Sequence, residues 1–345
     1  MFKMSKMANG GDEQIFGSDK NHSNKATLIN LPIVDHPFSF GTLCDFIIAN
    51  LIRIPVSAIV SSLYYVIHGP IVLKRKYNVS RKRINIPSRQ TERDIKVDAY
   101  LPNNLWHSNR PLPVHVNWHG SGFVLNCFGV DGDFCAYMAN KMQCIVLDVD
   151  YRKAPEFPFP ACLQDSEDVM KSMFHNKHHH LYDQLPPINL QHISIGGSSA
   201  GGLIALGMGI LFGGKKICAV ATIAPPTDCR DQARYKKAPQ PNHSMSLPQN
   251  IVFYFDRCYL LPNVNRENPV LSPVLCDLQK GQLDCKLVYT AAGTGDTLHN
   301  DSYNLIKSPS SHSKSKVTAM LSFMLFQEKV TDLKKRSEVN KSKRH

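Results

Sequence analysis

The sequence predicts an α/β protein with a mostly parallel central sheet flanked by helices. Three observations carry that prediction. Runs with two-residue apolar periodicity alternate with helical stretches from residue 84 onward. The 345 residues are enough for one large α/β domain. Their composition, 43% hydrophobic and 20% charged, is that of a folded globular chain rather than a disordered or fibrous one.

The elements follow in order. Residues 1–40 are polar and interleave Gly, Ser, Asn and Lys, which predicts a mobile tail. Met1–Gly10 lacks the apolar stretch of a signal peptide. Residues 46–73 are apolar, and no Asp, Glu, Lys or Arg stands between Arg53 and Lys74. That length is enough to span a bilayer, with Lys74-Arg75-Lys76 as a cytoplasmic flank. Pro55, Ser57, Ser61, Ser62, His68 and the Gly69-Pro70 break favour instead a buried or interfacial amphipathic helix pair. Residues 41–83 are therefore expected to form apolar cap or membrane-facing helices.

Strands are predicted at Ile84–Ile86, Ile95–Leu101, Pro113–Trp118, Cys144–Val149, Ile188–Ile195, Ile217–Ile223 and Lys286–Thr290. Helices are predicted near Asp133–Met142 and, broken by glycines, over Ala200–Leu211. Residues 228–270 interrupt this rhythm with polar and aromatic sequence, as an insertion over a site would. The core is thus expected over 84–306.

The formal charge of +12 invites a nucleic-acid or membrane partner. Its distribution argues against nucleic acid: residues 307–345 hold ten Lys/Arg and three Asp/Glu, and the middle of the chain is close to neutral. The ten cysteines are scattered with no C-x-x-C pair, which fits reduced core thiols in a cytosolic setting. His175-Asn176-Lys177-His178-His179-His180 lacks fixed helical spacing and carboxylate partners, so a solvated loop is expected rather than a metal site.

Two motifs carry chemistry. Gly197-Ser198-Ser199-Ala200-Gly201 matches G-x-S-x-G between a strand and a helix. There the glycines permit a sharp turn that raises the Ser199 hydroxyl above the strand ends. The helix start supplies backbone N–H groups and positive dipole beside it. His119-Gly120-Ser121-Gly122-Phe123 follows directly on the third strand, where a Gly-rich turn lets amides approach a tetrahedral intermediate.

With these two motifs in this order, the sequence resembles the hormone-sensitive-lipase-like esterases of the α/β-hydrolase superfamily. Asp150-Tyr151-Arg152-Lys153-Ala154-Pro155-Glu156, followed by Pro158-Phe159-Pro160-Ala161, is similar to the family's D-Y-R-L-A-P-E signature; these residues are expected to brace the site rather than react, which a Pro-rich loop with an internal Arg–Glu pair also allows. Ser272-Pro273 and Gly293-Thr294-Gly295-Asp296-Thr297-Leu298 match two further landmarks. The resemblance covers about residues 84–306. It implies an α/β-hydrolase fold with a helical cap from residues 41–80 and about 228–270. It also implies an acyl-enzyme mechanism on a small hydrophobic ester, without metal or organic cofactor.

By the same resemblance, Ser199 is the nucleophile and Asp296 orients a histidine. The amides of Ser121, Gly122 and Ala200 form the oxyanion hole, supported by His119, Gly120, Gly197 and Gly201. The chain departs from the family pattern at Ser121 (usually Gly), Ser198 (usually acidic) and Lys153 (usually Leu).

The family's base is a histidine, commonly in His-Gly-Phe, about thirty residues past the Asp, and no such tripeptide occurs here. His299, His312 and His345 are the histidines downstream of Asp296. The codons of Val330-Thr331-Asp332-Leu333, read two nucleotides out of phase, allow Ser-His-Gly-Phe, so an altered reading frame in the basic 307–345 segment is one expectation. The others take the chain as it stands. One is a non-catalytic binding protein resembling gibberellin receptors; another is an inactive product. The expected location is cytoplasmic or associated with the endoplasmic-reticulum membrane surface.

Overall fold

The computed structural model describes residues 40–67, 69–90, 92–174, 183–214, 216–230, 235–240, 247–276, 283 and 285–307. The polar run 1–39, the histidine run 175–180 and the segment 308–345, with His312 and His345, lie outside the described residues.

Alternation builds the first half of the sheet. Strand β1 (Val79–Pro87) pairs antiparallel with β2 (Asp94–Pro102) in unbroken register from Val79↔Pro102 to Pro87↔Asp94. The first strand starts five residues before the predicted Ile84. Val79 is fully buried with Leu73, Tyr100 and Val146 in a small second core, and that burial extends the strand backward through Arg81 and Lys82.

Strand β2 runs antiparallel to β4 (Ile145–Val149), and from there the sheet is parallel. It continues through β3 (Leu112–Trp118), β5 (Ile188–Ser198), β6 (Ala219–Ile223) and β7 (Leu287–Ala291). The seven strands lie in the order β1-β2-β4-β3-β5-β6-β7. The inner strands β3 and β4 are buried on nearly every residue, as strands covered on both faces must be. Because β3 to β7 are parallel, the loops after each of them emerge at one edge. That edge carries 119–123, 150–156, 199–200 and 292–298, where a parallel sheet places ligands.

Helices complete the layers. Helix α1 (Phe40–Ser62) continues into a π-helical turn (Leu63–Ile67) and is followed by α2 (Pro70–Tyr77). Next come α3 (Gly132–Met142), α4 (Ala161–Phe174) and α5 (Ala200–Phe212). Helix α6 (Gln249–Tyr259) lies in the 228–270 insertion, and α7 (His299–Lys307) ends the described chain.

Helix α1 meets the body along one stripe. Asp45, Ala49, Arg53 and Val60 are buried, spaced four, four and seven residues apart, so they share one helical face. Three polar pins hold that face. Asp45 pairs with Arg257, and its carbonyl accepts from Tyr254 Oη at 2.7 Å. Arg53 donates to Glu156 at 2.6 Å, to the Val124 carbonyl at 2.7 Å and to the Ala154 carbonyl. Tyr64 Oη donates to Asp98 at 2.7 Å, and burial pushes this phenol up to about 12. The first two pins reach α6 and the 150–156 loop, so α1 is docked on the α/β body rather than detached from it.

Candidate active site

The turn between β5 and α5 puts Ser199 in a conformation that few non-glycine residues adopt, φ 49° and ψ −119°. The turn is held from below. Ser199 N donates to the Ile223 carbonyl at 2.8 Å, which ties the bend to the end of β6. A Cβ on Gly201 would overlap the Trp118 carbonyl of β3, so the helix can start this close to the sheet only with glycine there. The Ser199 side chain is half-exposed, and its hydroxyl makes no hydrogen bond to any described residue.

The turn after β3 packs against this bend. A Cβ placed on Gly120 would sit 3.5 Å from that of Ser199 and 3.0 Å from Ser198 Oγ. Gly122 has φ +56°, and the ring of Phe255 from α6 covers it where a side chain would stand. Among the described residues, the amides of Ser121, Gly122 and Ala200 have no hydrogen-bond acceptor. Ala200 is the first residue of α5, whose opening N–H groups carry the positive end of the helix dipole.

A directed hydrogen-bond chain fixes the turn. Phe123 N donates to Ser121 Oγ at 3.0 Å, Ser121 Oγ lies 2.7 Å from Tyr151 Oη, and Tyr151 Oη donates to the His119 carbonyl at 2.7 Å. With the tyrosine proton used on His119, the serine proton goes to the tyrosine oxygen. Ser121 and Lys153 are two of the family departures, and both converge on Tyr151. The Lys153 ammonium sits 3.7 Å from the Tyr151 ring centroid, bonds the Tyr151 carbonyl and reaches Asp150 at 3.2 Å. Burial lowers the Lys153 pKa, with Asp150 opposing.

The 150–156 signature braces the site differently from the expected internal Arg–Glu pair. Arg152 turns to the buried Asp165 of α4, at 2.9 Å from both its Nε and its backbone N. Glu156 turns outward to Arg53 of α1.

Asp296 lies in the turn after β7, half-exposed, with Oδ1 accepting from Leu298 N at 2.8 Å. It emerges at the same sheet edge as Ser199. His299 aims its Nδ1 at the Ala292 carbonyl, 3.3 Å away, and makes no bond to Ser199. His119 is fully buried and stacks on Tyr151 at 4.8 Å between ring centroids. Burial, with Lys153 nearby, holds its imidazole well below the usual range, so it stays neutral in the frame of the site. The structure therefore brings the Ser199 bend and the 119–123 turn together and sets Asp296 on the same edge. It supplies no imidazole to the serine among the described residues. Nor does any group of three His, Cys, Asp or Glu side chains among those residues suit a metal ion.

Sequence reasoning missed Tyr151, Phe255 and Arg53 as parts of this frame. Tyr151 was legible as part of the 150–156 signature, though not as the brace of residue 121. Phe255 and Arg53 stand in segments whose pattern says only that they are apolar or aromatic.

Comparison with known proteins agrees with the geometry. An AB hydrolase superfamily protein of Schizosaccharomyces pombe is 28% identical over 235 residues, covering 65% of this chain and 64% of that protein. The chain thus spans a little under two thirds of that relative's length. A versiconal hemiacetal acetate esterase of Emericella nidulans is 25% identical over 65% of this chain and 77% of its own. Among solved structures, an esterase of Pyrobaculum calidifontis superposes with a TM-score of 0.54 at 26% identity, over 71% of this chain and 77% of its own. The sequence profile of the alpha/beta hydrolase fold family matches residues 115–321, from the third strand to beyond α7. By that match, and by its relatives, the chain belongs to the carboxylesterase-like, hormone-sensitive-lipase-like family of α/β hydrolases.

Proposed function

We propose that the chain cleaves carboxylic esters with a hydrophobic acyl or alcohol group through an acyl-enzyme on Ser199. One observation carries this reading: the strained, half-exposed Ser199 stands at the start of α5 beside backbone amides that lack acceptors among the described residues. The Ser199 oxygen attacks the ester carbonyl, and its electrons move onto the carbonyl oxygen. The amides of Ser121, Gly122 and Ala200 are suited to hold that oxyanion, since N–H donors fixed beforehand stabilise the charge without reorganising. Collapse expels the alcohol, and water then releases the acid and restores the serine.

The serine proton needs a base. Asp296 is suited to orient an imidazole from the same edge of the sheet. No described histidine is placed to receive that orientation, so on this reading the base lies outside the described residues.

A second reading rests on the Ser199 hydroxyl, which has no partner among the described residues: the pocket binds an ester or acid without cleaving it, as a receptor would. Turnover of p-nitrophenyl butyrate, with Ser199→Ala as control, separates the two. Hydrolysis lost in the variant supports the esterase. Saturable binding with no turnover in the unaltered chain supports the receptor and overturns the esterase.

A further inference from the structure

Helix α1 is amphipathic in the inverted sense. Its two charged residues, Asp45 and Arg53, are 5% and 6% exposed and face the protein, where each is paired. Its opposite face is apolar and open: Leu43, Ile47, Leu51 and Ile54 follow at intervals of four, four and three residues. Leu51 is 66% exposed and Ile54 69%. The strip continues past Pro55 through Ile59, Tyr65 and Val66, and resumes at Ile71 of α2. Ala58, Ile59, Ser62, Leu63 and Val66 line a shallow groove along it. Asn50 and Ser61 interrupt the strip, yet a soluble protein rarely exposes so many large apolar side chains along one helix face, about 35 Å long for 23 residues.

The segment Leu43–Val66 has the length and composition of a membrane span. The pins argue against spanning. Asp45, Arg53 and Tyr64, distributed over nearly the whole helix, are all bonded to the hydrolase body. A crossing helix would have to break these bonds and carry Arg53 toward the bilayer centre. A helix lying flat keeps every pin and buries only the open face.

Charge says what covers that face. Immediately after the strip come Lys74, Arg75 and Lys76, all exposed. Lys76 pairs with Asp133, whereas Lys74 and Arg75 make no ion pair among the described residues. An apolar strip ending in unpaired cations fits acyl chains bordered by anionic headgroups.

We propose that the outer face of α1 seats on an anionic lipid surface, with the helix in the interface plane and Lys74 and Arg75 against headgroup phosphates or carboxylates. This gives the protein a monotopic attachment. It also sets α6, and the Gly122 turn that α6 covers, on the membrane side of the site. The attachment is independent of whether Ser199 turns over.

The test is flotation of the full chain with vesicles of phosphatidylcholine alone or with roughly 30% phosphatidylserine. Binding is expected to be stronger on the anionic vesicles. Leu51→Glu with Ile54→Glu should lower it at least roughly ten-fold on both, because charge on the seated face opposes burial. Lys74→Glu with Arg75→Glu should lower it by roughly ten-fold or more on anionic vesicles and leave phosphatidylcholine binding unchanged. All four side chains are exposed, and circular dichroism and the thermal midpoint are expected to match the parent. Ser199→Ala should float as the parent does, which separates this proposal from the esterase reading. Absence of vesicle binding by the parent, or binding indifferent to all four changes, overturns the proposal. So does a concentration-dependent dimer that Leu51→Glu disrupts without any lipid effect, which would give the face to a second copy of the chain.

Discussion

Helices α1 and α5 share an apolar composition and little else. In α5, every residue from Ala200 to Ile210 is buried, and the helix carries no charged side chain. It is gripped by the sheet on one side and by α4 on the other, and its glycines let backbone approach backbone. In α1, both charged residues are buried beside Ala49 and Val60, and most of the large apolar residues are exposed. Apolar content alone does not decide where a helix goes. In α5 close packing decides it, and in α1 the pins at Asp45 and Arg53, with Tyr64 in the π-helical turn that follows, decide it. The first helix holds the chemistry rigid, and the second leaves a greasy side to something outside the chain.

The largest expected effect sharpens the α5 half of this contrast. Ser199→Ala should lower the ester-cleavage rate by roughly 10⁴-fold or more, with the fold unchanged, because the bend is held by backbone contacts. Hydrolysis that survives the change breaks the assignment of the bend as the reacting centre.

Gly201→Val should destabilise by about 4 kcal/mol or prevent folding, read from urea unfolding. The added side chain meets the Trp118 carbonyl, which belongs to the sheet and cannot yield.

Arg53→Met tests the pins. It removes donors to Val124, Ala154 and Glu156 and should cost about 2–4 kcal/mol, since two buried carbonyls lose a partner. Limited proteolysis should then cut within α1 first. A stability change under about 0.5 kcal/mol would show that packing rather than pinning holds this helix.

His115 reports on the interior across the sheet from α5. It lies on β3 with Nδ1 3.0 Å from Ser194 Oγ, and burial lowers its pKa to about 4. An unfolded histidine titrates near 6.5, so the unfolded chain binds the proton first as pH falls. The stability of neutral His115 is fully present above pH ~6.5 and is lost progressively toward pH ~4, by about 3 kcal/mol at most. His115→Gln should flatten that dependence in unfolding curves at pH 7.5 and 5.

The smallest effect lies on the open face. Leu51→Ala should change stability by less than about 0.5 kcal/mol, whereas deletion at a buried apolar position costs several times more.

Much of this architecture could be read from residue order, for identifiable reasons. The parallel strands announced themselves as short β-branched runs, and the bend at Ser199 by glycines on both sides. Helix α4 stayed hidden because it buries Gln164, Asp165, Ser166 and Glu167, which periodicity assigns to a surface. Those groups are tolerated inside because Arg152, Arg93 and Arg89 reach them from distant parts of the chain. No local pattern contains such a partner. Helix α6 was hidden in an insertion whose aromatic residues have meaning only against distant partners, the 119–123 turn and α1 among them. The partner of Asp296 is illegible for another reason: the family's histidine tripeptide is absent, and no described residue replaces it.

The grip of Arg53 has a mechanical consequence. Its guanidinium holds the carbonyl of Val124, two residues beyond Gly122, together with that of Ala154. Strain along α1 is thereby delivered to the Gly122 peptide through two links of main chain. The helix proposed to rest on a lipid surface and the loop proposed to cradle a reacting carbonyl share one foothold, so tugging on the first would re-aim the second.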